Sequence, residues 1–175
     1  MYVVCLDLEG VLIPEIWINV ALKTGIEELK LTTRDISDYD VLMKKRIGIM
    51  DEHNLKLKDI QDVIATMDPL DGALDFLNKL RSENQVVILS DTFRQFAKPM
   101  MKKLAWPTLF CNDLIVNNDD QIVDYRLRQK DGKKFAVQGF HSMGLKVVAA
   151  GDSYNDLSMI REANGGVLFC PPEKI

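Results

Sequence analysis

Four short, continuously apolar runs constrain the fold of this chain more than any other feature. They are "YVVCLDL" (2–8), "QVVILS" (85–90), "LKVVAAG" (145–151) and "GGVLFC" (165–170). None alternates polar with apolar residues, so we expect each run to be a strand covered on both faces, as in a parallel sheet between helices. Helical patterns separate them, at 71–82, 93–104 and 133–144. This order predicts an α/β fold, a doubly wound three-layer sandwich with a mostly parallel sheet.

One long segment interrupts the alternation. Residues 14–68 contain helical patterns such as "DVLMKKRIGIMDEH" and no convincing strand. The segment is too long for an ordinary crossover, so we predict a small helical cap inserted after the first strand. The corresponding division is a catalytic core of residues 1–13 and 69–175 and a cap of residues 14–68. Residues 113–127 have two strand-like halves around a polar turn, which predicts a hairpin.

Composition excludes several classes of protein. The 175 residues are 47% hydrophobic and 27% charged, as expected of a folded domain, and the net charge of −4 comes without any long basic run. We therefore expect no nucleic-acid partner. No run approaches the roughly 18 apolar residues that span a bilayer, and no basic region precedes the first apolar run. These features predict a cytoplasmic protein without membrane contact. The three cysteines are scattered, which favours reduced thiols over a disulfide or zinc site.

Polar residues stand where the predicted strands end. Ligands of open α/β sheets bind beyond the carboxyl ends of the strands, so these residues should converge at one edge. They are Asp7 and Glu9 after the first strand, Ser90, Asp91 and Thr92 at the second, and Asp152 after "KVVAAG". Asp7 and Asp152 together offer the hard oxygen ligands that suit Mg²⁺. A nearby cation would also relieve the repulsion among the carboxylates.

A carboxylate in such a place can act on phosphorus. Asp7 could attack a phosphoryl group and form an aspartyl-phosphate that water then hydrolyses. Glu9, two residues on, points to the same side of an extended chain, where it could move the proton for the leaving oxygen and the incoming water.

The order of these residues resembles the four motifs of the haloacid dehalogenase (HAD) superfamily. The matching residues are Asp7-Leu-Glu9-Gly-Val, Ser90 after "VVIL", a downstream lysine, and "GDSYND" (151–156). The helical insertion resembles the cap of the phosphoserine phosphatase branch. Within that branch, "CLDLEGVL", "TTRDI", "VVILSDTF" and "AAGDSYND" are most similar to bacterial members that combine phosphoserine phosphatase with homoserine kinase activity.

The resemblance implies a role for each site residue. Asp7 would be the nucleophile and a metal ligand, and Glu9 the general acid/base whose backbone carbonyl binds the metal. Asp152 and Asp156 would complete the Mg²⁺ site. Ser90, with Asp91 beside it, and Asn155 would bind the phosphoryl group or substrate, and Glu15 and Arg46 of the cap would bind the amino and carboxylate groups of phosphoserine.

Three points stay open in the sequence. Lys130, Lys133 and Lys134 are all candidates for the catalytic lysine, and we choose Lys133 because it falls where a helix is predicted to begin. Asp91-Thr92 replaces the usual Gly-Gly after the motif-two serine, which predicts a less open backbone on the phosphate side. The chain also ends before the further strand and helix that the resemblance leads us to expect.

The implied function is Mg²⁺-dependent hydrolysis of O-phospho-L-serine, a small phosphoamino acid, and the resemblance also admits phosphoryl transfer to homoserine and a homodimer. The alternatives are a HAD phosphatase for another small phosphate ester and a catalytically quiet HAD-fold binding protein. We interpret Trp17 and Trp106 as packing residues and assign no role to His53 or His141.

Overall fold

The computed structural model describes residues 1–33, 35–36 and 38–173. Six strands form one sheet in the order β4-β3-β2-β1-β5-β6, in which all neighbours are parallel except β3 and β4. The strands are β1 Tyr2–Leu6, β2 Gln85–Phe93, β3 Thr108–Val116, β4 Ile122–Arg126, β5 Lys146–Gly151 and β6 Gly165–Leu168. The prediction of a mostly parallel α/β sheet is confirmed.

Helices cover both faces of this sheet. They are α1 Ile16–Thr24, α2 Tyr39–Glu52, α3 Leu57–Ala65, α4 Ala73–Glu83, α5 Arg94–Lys103, α6 Gly132–Ser142 and α7 Leu157–Glu162. Short 3₁₀ turns occupy Glu27–Lys30 and Tyr154–Asp156. No helix in the described ranges is long and apolar enough to cross a membrane.

Alternate residues of the central strand β1 pack into the apolar clusters on opposite faces of the sheet. Val3 and Cys5 belong to the smaller apolar cluster, which includes residues of α6 and α7. Val4 and Leu6 belong to the larger cluster, which α4, α5 and the inserted helices complete. The continuous apolar run is therefore a strand buried on both faces, because successive side chains point to opposite sides.

The described part of the segment between β1 and α4 contains only helices and turns. Trp17 of α1 packs edge to face against Phe96 of α5, with ring centroids 5.3 Å apart. Tyr125 of β4 donates a hydrogen bond to Asp40 of α2 at 2.8 Å. The insertion thus packs on both the sheet-covering helix and the β3–β4 hairpin; its division from the core at residues 14 and 68 stays a prediction.

Three details differ from the expectations. The run at 165–170 forms the edge strand β6 only over Gly165–Leu168, and this strand is largely exposed, so it is not covered on both faces as expected. The hairpin is present, but β3 begins at Thr108, and its first half pairs in parallel with β2. The interpretation of Trp106 as a packing residue is wrong, since the side chain is 66% exposed. Trp17, at 9% exposure, is a packing residue as expected.

Candidate active site at the carboxyl edge of the sheet

Three carboxylates from two chain segments meet beyond the ends of β1 and β5. Asp7, Asp152 and Asp156 each offer an oxygen, and these atoms all lie within 4.8 Å of one another. Asp7 is joined to the neighbouring strand by its backbone N–H, which donates to the carbonyl of Ala150 at 2.9 Å. Parallel pairing of β1 with β5 brings these distant residues together.

Asp7 is buried and held in one orientation. Its Oδ1 accepts hydrogen bonds from the backbone N–H of Leu8 at 2.7 Å and faces the Lys133 ammonium at 3.0 Å. Burial raises the pKa of the Asp7 carboxyl well above its ordinary value, while Lys133 acts in the opposite direction. A divalent cation beside this carboxylate would act as Lys133 does, favouring the charged form.

Lys133 is the lysine that enters the cluster. It lies in the first turn of α6, is 4% exposed, and places Nζ 2.7 Å from Asp156, 3.0 Å from Asp7 and 3.6 Å from Asp91. Burial tends to lower the pKa of Lys133, but the three carboxylates outweigh it and raise the pKa overall. Within the described residues, neither Lys130 nor Lys134 forms an ion pair.

Asp156 is completely buried and fully hydrogen-bonded. Its Oδ2 accepts from the backbone N–H groups of Asp152 and Ser153, both at 3.0 Å, and from the Ser153 hydroxyl at 3.1 Å, while Oδ1 accepts from Lys133. Gly151 leaves room for it, because a Cβ there would lie 2.2 Å from the Asp156 Cγ. Asp156 therefore fixes the turn that presents Asp152.

One carboxylate oxygen of Asp152 has no hydrogen-bond partner among the described residues. Its Oδ1 is buried and accepts no hydrogen bond from the described residues. Burial is the largest cause that raises the pKa of this carboxyl, followed by the charges of Asp156 and Glu15. Gly10, at φ +78°, allows the approach, since a Cβ there would lie 2.4 Å from the Asp152 Oδ2. A buried acceptor left unpaired is costly, and oxygen donors suit Mg²⁺, so the residues fit this cation.

Ser90 and Asp91 lie in the last part of β2 and line one cavity together with Lys133. Ser90 is 7% exposed, and its Oγ accepts a hydrogen bond from the Thr92 backbone N–H at 3.2 Å. The Asp91 carboxylate accepts from Asn155 Nδ2 at 3.0 Å. The structure thus brings together the four residues that the sequence suggests for the phosphate side of the site, which are Ser90, Asp91, Lys133 and Asn155.

Glu9 adjoins the start of the insertion. Its Oε2 accepts a hydrogen bond from the Ile16 backbone N–H at 2.9 Å. Burial and the neighbouring Glu15 raise the pKa of Glu9 to about 8. A carboxyl that keeps its proton near neutral pH suits a general acid.

Arg46 of α2 is a buried cation that forms no ion pair with any carboxylate of the described residues. It is 6% exposed, its guanidinium lies 4.4 Å from the centre of the Trp17 ring, and one terminal nitrogen donates to the Leu31 carbonyl at 2.7 Å. The Nε atom is buried and has no hydrogen-bond partner in the described residues. Burial lowers the pKa of Arg46 to about 10, although the charges of Glu9 and Glu15 oppose this.

Two neighbours of the site were not predicted from the sequence. Tyr39 and Asn112 both donate hydrogen bonds to the backbone carbonyl of Asp91, at 3.3 and 3.0 Å. Neither stands in a recognisable motif, and their partner is 52 and 21 residues away. No local sequence signal could have identified them.

Comparison with known proteins agrees with this geometry. The family model for haloacid dehalogenase-like hydrolases matches residues 17–161. The chain belongs to this family. The predicted membership in the HAD superfamily is confirmed.

Relatives and solved structures extend the comparison. The chain is 58% identical over 175 residues to "Phosphoserine phosphatase ThrH" of Pseudomonas aeruginosa, covering 100% of this chain and 85% of that protein. It is 57% identical over 173 residues to "Phosphoserine phosphatase" of Pseudomonas syringae pv. tomato, covering 99% and 73%. A crystal structure of a phosphoserine phosphatase in apo form has the same fold, with a TM-score of 0.79 at 22% identity over 97% of this chain and 86% of that chain.

Proposed function

We propose that this HAD-family hydrolase converts O-phospho-L-serine to L-serine and phosphate through an aspartyl-phosphate on Asp7, with Mg²⁺ as cofactor. The two Pseudomonas relatives named phosphoserine phosphatase support the substrate. The observation that carries the proposal is the buried Arg46. Its Nε has no hydrogen-bond partner in the part of the chain that the structure describes, and the charges of Glu9 and Glu15 act on it. A substrate with its own carboxylate would supply the missing anion.

In the first step the Asp7 carboxylate attacks phosphorus. The bond between phosphorus and the serine oxygen breaks, the oxygen takes a proton from Glu9, and serine leaves with the phosphoryl group on Asp7. The raised pKa of Glu9, about 8, keeps the proton available for this step at neutral pH.

In the second step water releases the phosphate. Glu9, now ionised, accepts a proton from the water as its oxygen attacks phosphorus, and the bond to Asp7 breaks. The products are inorganic phosphate, a free Asp7 carboxylate and a protonated Glu9, so the site returns to its starting state.

Asp7, Asp152 and the backbone carbonyl of Glu9 would hold the Mg²⁺ ion. The cation would neutralise charge on the phosphoryl oxygens and favour the ionised form of Asp7. Both oxygens of Asp156 already accept hydrogen bonds from Asp152, Ser153 and Lys133. We therefore propose that Asp156 supports the metal site by orienting Asp152.

The remaining residues would position the substrate. Lys133 and Ser90 would bind phosphoryl oxygens. Asn155 would hold the Asp91 carboxylate, through its 3.0 Å hydrogen bond, in the position where it lies 3.6 Å from the Lys133 ammonium. Arg46 would bind the substrate carboxylate with two parallel N–H donors, and Glu15, exposed at the start of α1, would bind the ammonium group.

Phosphate release from O-phospho-L-serine in the presence of Mg²⁺ tests the proposal. We expect turnover that EDTA abolishes and that added Mg²⁺ restores. Faster turnover of a sugar or nucleotide phosphate would favour the alternative small-ester phosphatase. No release from any ester, including a chromogenic one, would favour a catalytically quiet binding protein.

We also propose phosphoryl transfer to homoserine as a second activity of the same site. Serine and homoserine share their α-amino and α-carboxylate groups, so the positions of Arg46 and Glu15 that suit one suit the other. Phosphohomoserine should form when excess homoserine is present during phosphoserine turnover, as measured by phosphorus NMR. Formation of inorganic phosphate alone would contradict this transfer. The homodimer stays a prediction.

A further inference from the structure

The segment that carries Ser90 leaves the regular ladder of the sheet. In the β2–β3 pairing, Leu89 lies opposite Phe110 and Phe93 lies opposite Asn112, with a register shift between the two pairs. Strand β2 therefore has three residues, Ser90 to Thr92, where β3 has only Cys111, which is two more than a regular ladder holds. A bulge of this kind frees backbone groups from the ladder and redirects side chains.

Asn112 replaces the missing ladder contacts with its side chain. Its Nδ2 donates to the carbonyl of Asp91, in the middle of the bulge, at 3.0 Å. Its Oδ1 accepts from the backbone N–H of Arg128 at 2.9 Å, in the loop that leads to α6 and Lys133. At 6% exposure, both halves of the amide are used inside the protein.

The loop on the Lys133 side is itself tied down. The Arg128 guanidinium donates to the carbonyl of Gly132 at 3.0 Å and lies 5.6 Å from the centre of the Phe110 ring. Gly132 immediately precedes Lys133. The backbone N–H of Arg128, which donates to Asn112, is thus only a few residues from Lys133, whose ammonium group faces Asp7.

We infer that Asn112 is a positioning residue that sets the spacing between the Ser90–Thr92 bulge and Lys133. It thereby shapes the phosphoryl-binding part of the site. This inference rests on the proposed phosphoryl-transfer function. Only a side chain with both a donor and an acceptor at this length can join the two segments, and an asparagine amide provides both.

The inference predicts that substitution of Asn112 weakens binding of the phosphoryl group but not of the serine part of the substrate. Asn112→Leu removes both hydrogen bonds without adding charge, and Asn112→Asp keeps the acceptor for Arg128 but loses the donor to Asp91. We expect kcat for phosphoserine to fall about ten- to a hundredfold in both, since misplacement of a catalytic group by about 1 Å can cost that much. The inhibition constant for inorganic phosphate should rise, while that for L-serine should stay within twofold of the wild type.

Asn117→Asp is the matched control. Asn117 also uses both halves of its amide, but only within the β3–β4 turn, with Asp119 and Gln121. This variant should keep wild-type kcat and wild-type inhibition by phosphate. Should Asn112→Leu fail to fold, as judged by circular dichroism and thermal unfolding, Asn112→Ser answers the same question with a shorter polar group.

Two results would overturn the inference. One is wild-type kcat and phosphate inhibition in the folded Asn112 variants. The other is equal weakening of phosphate and L-serine binding, which would indicate a general structural role. If the wild type hydrolyses no phosphoserine, the proposed function fails by itself. Calorimetric titration with inorganic phosphate and Mg²⁺, comparing wild type with Asn112→Leu, then still tests Asn112.

Discussion

Buried charge is arranged in opposite ways at the carboxyl edge of the sheet and around Arg46 in the insertion. At the sheet edge, Lys133 lies within 3.6 Å of three carboxylates, and Asp156 accepts hydrogen bonds at both oxygens. In the insertion, Arg46 is nearly as buried but has no carboxylate within ion-pairing distance among the described residues. It rests on the Trp17 ring and a backbone carbonyl instead.

The sheet edge, which we call the first region, is therefore preassembled, whereas the surroundings of Arg46, the second region, need a ligand to pair the buried charge. Charges that are paired inside the protein are held ready for chemistry without further rearrangement. A buried guanidinium with an unpaired Nε is costly by itself, and an incoming carboxylate would relieve that cost. We therefore expect the first region to control the chemical step and the second to control the choice of substrate.

Asp7→Asn should break the first region with the largest effect. The substitution keeps the shape of the side chain but removes the attacking charge, so kcat should fall by roughly a thousandfold or more, as when other covalent nucleophiles are removed. Phosphate release from phosphoserine measures this. The exposed Asp75→Asn in α4 is the control and should stay fully active. Substantial turnover by the Asp7 variant would contradict its role as nucleophile.

Arg46→Ala should break the second region while sparing the first. Loss of one partner from a buried charged hydrogen bond costs about 3 kcal/mol, so kcat/KM for phosphoserine should fall about a hundredfold. Hydrolysis of a chromogenic ester without a carboxylate should change little. Lys45→Ala, at an exposed cation next in the chain, should leave both substrates unaffected. An equal loss for both esters would show that Arg46 does not select the substrate.

The ionisation of Glu9, which Glu15 influences, should make activity depend on pH. With a pKa of about 8, Glu9 is protonated below that pH and loses its proton above it. The kcat/KM for phosphoserine should therefore fall, up to tenfold per pH unit, above about pH 8. Glu15→Gln removes a charge that raises the pKa of Glu9, so the decline should begin at lower pH.

Glu28→Gln provides the control for this pH profile. Glu28 is exposed in the 3₁₀ turn after α1, so its substitution should not move the decline. If the profile of Glu15→Gln matches that of the wild type, Glu15 does not influence the ionisation of Glu9.

Tyr39→Phe should give the smallest effect. The Tyr39 hydroxyl reaches from α2, the helix of Arg46, to the Asp91 carbonyl at 3.3 Å. Loss of one such hydrogen bond costs about 1 kcal/mol, so kcat should fall only a few-fold. Tyr125→Phe is the matched control, because its ring packs against Tyr39 but its hydroxyl donates to Asp40. Equal kcat values in the two variants would show that the hydrogen bond from Tyr39 to Asp91 does not affect catalysis.

Much of the site could be predicted because each residue stands at the end of a recognisable strand or helix. Continuous apolar runs identified the parallel strands, including the largely exposed edge strand β6. The polar residues that follow the apolar parts of β1, β2 and β5 located Asp7, Ser90 and Asp152. Choosing Lys133 among three lysines required only the expected start of α6. The first half of β3 was missed because the exposed Thr108 and the buried but polar Asn112 interrupt its apolar residues.

The sequence by itself determined the α/β sheet, the helical insertion and the residues available for chemistry, since these depend on local periodicity and on which residues end each strand. Tertiary structure alone decided the Ser90–Thr92 bulge and the hydrogen bonds of Asn112 to two distant segments. It also decided that, among the described residues, no carboxylate lies within ion-pairing distance of Arg46. Those features depend on strand register and on contacts between residues far apart in the chain. Local patterns do not encode such distances, because they follow from how the whole core packs.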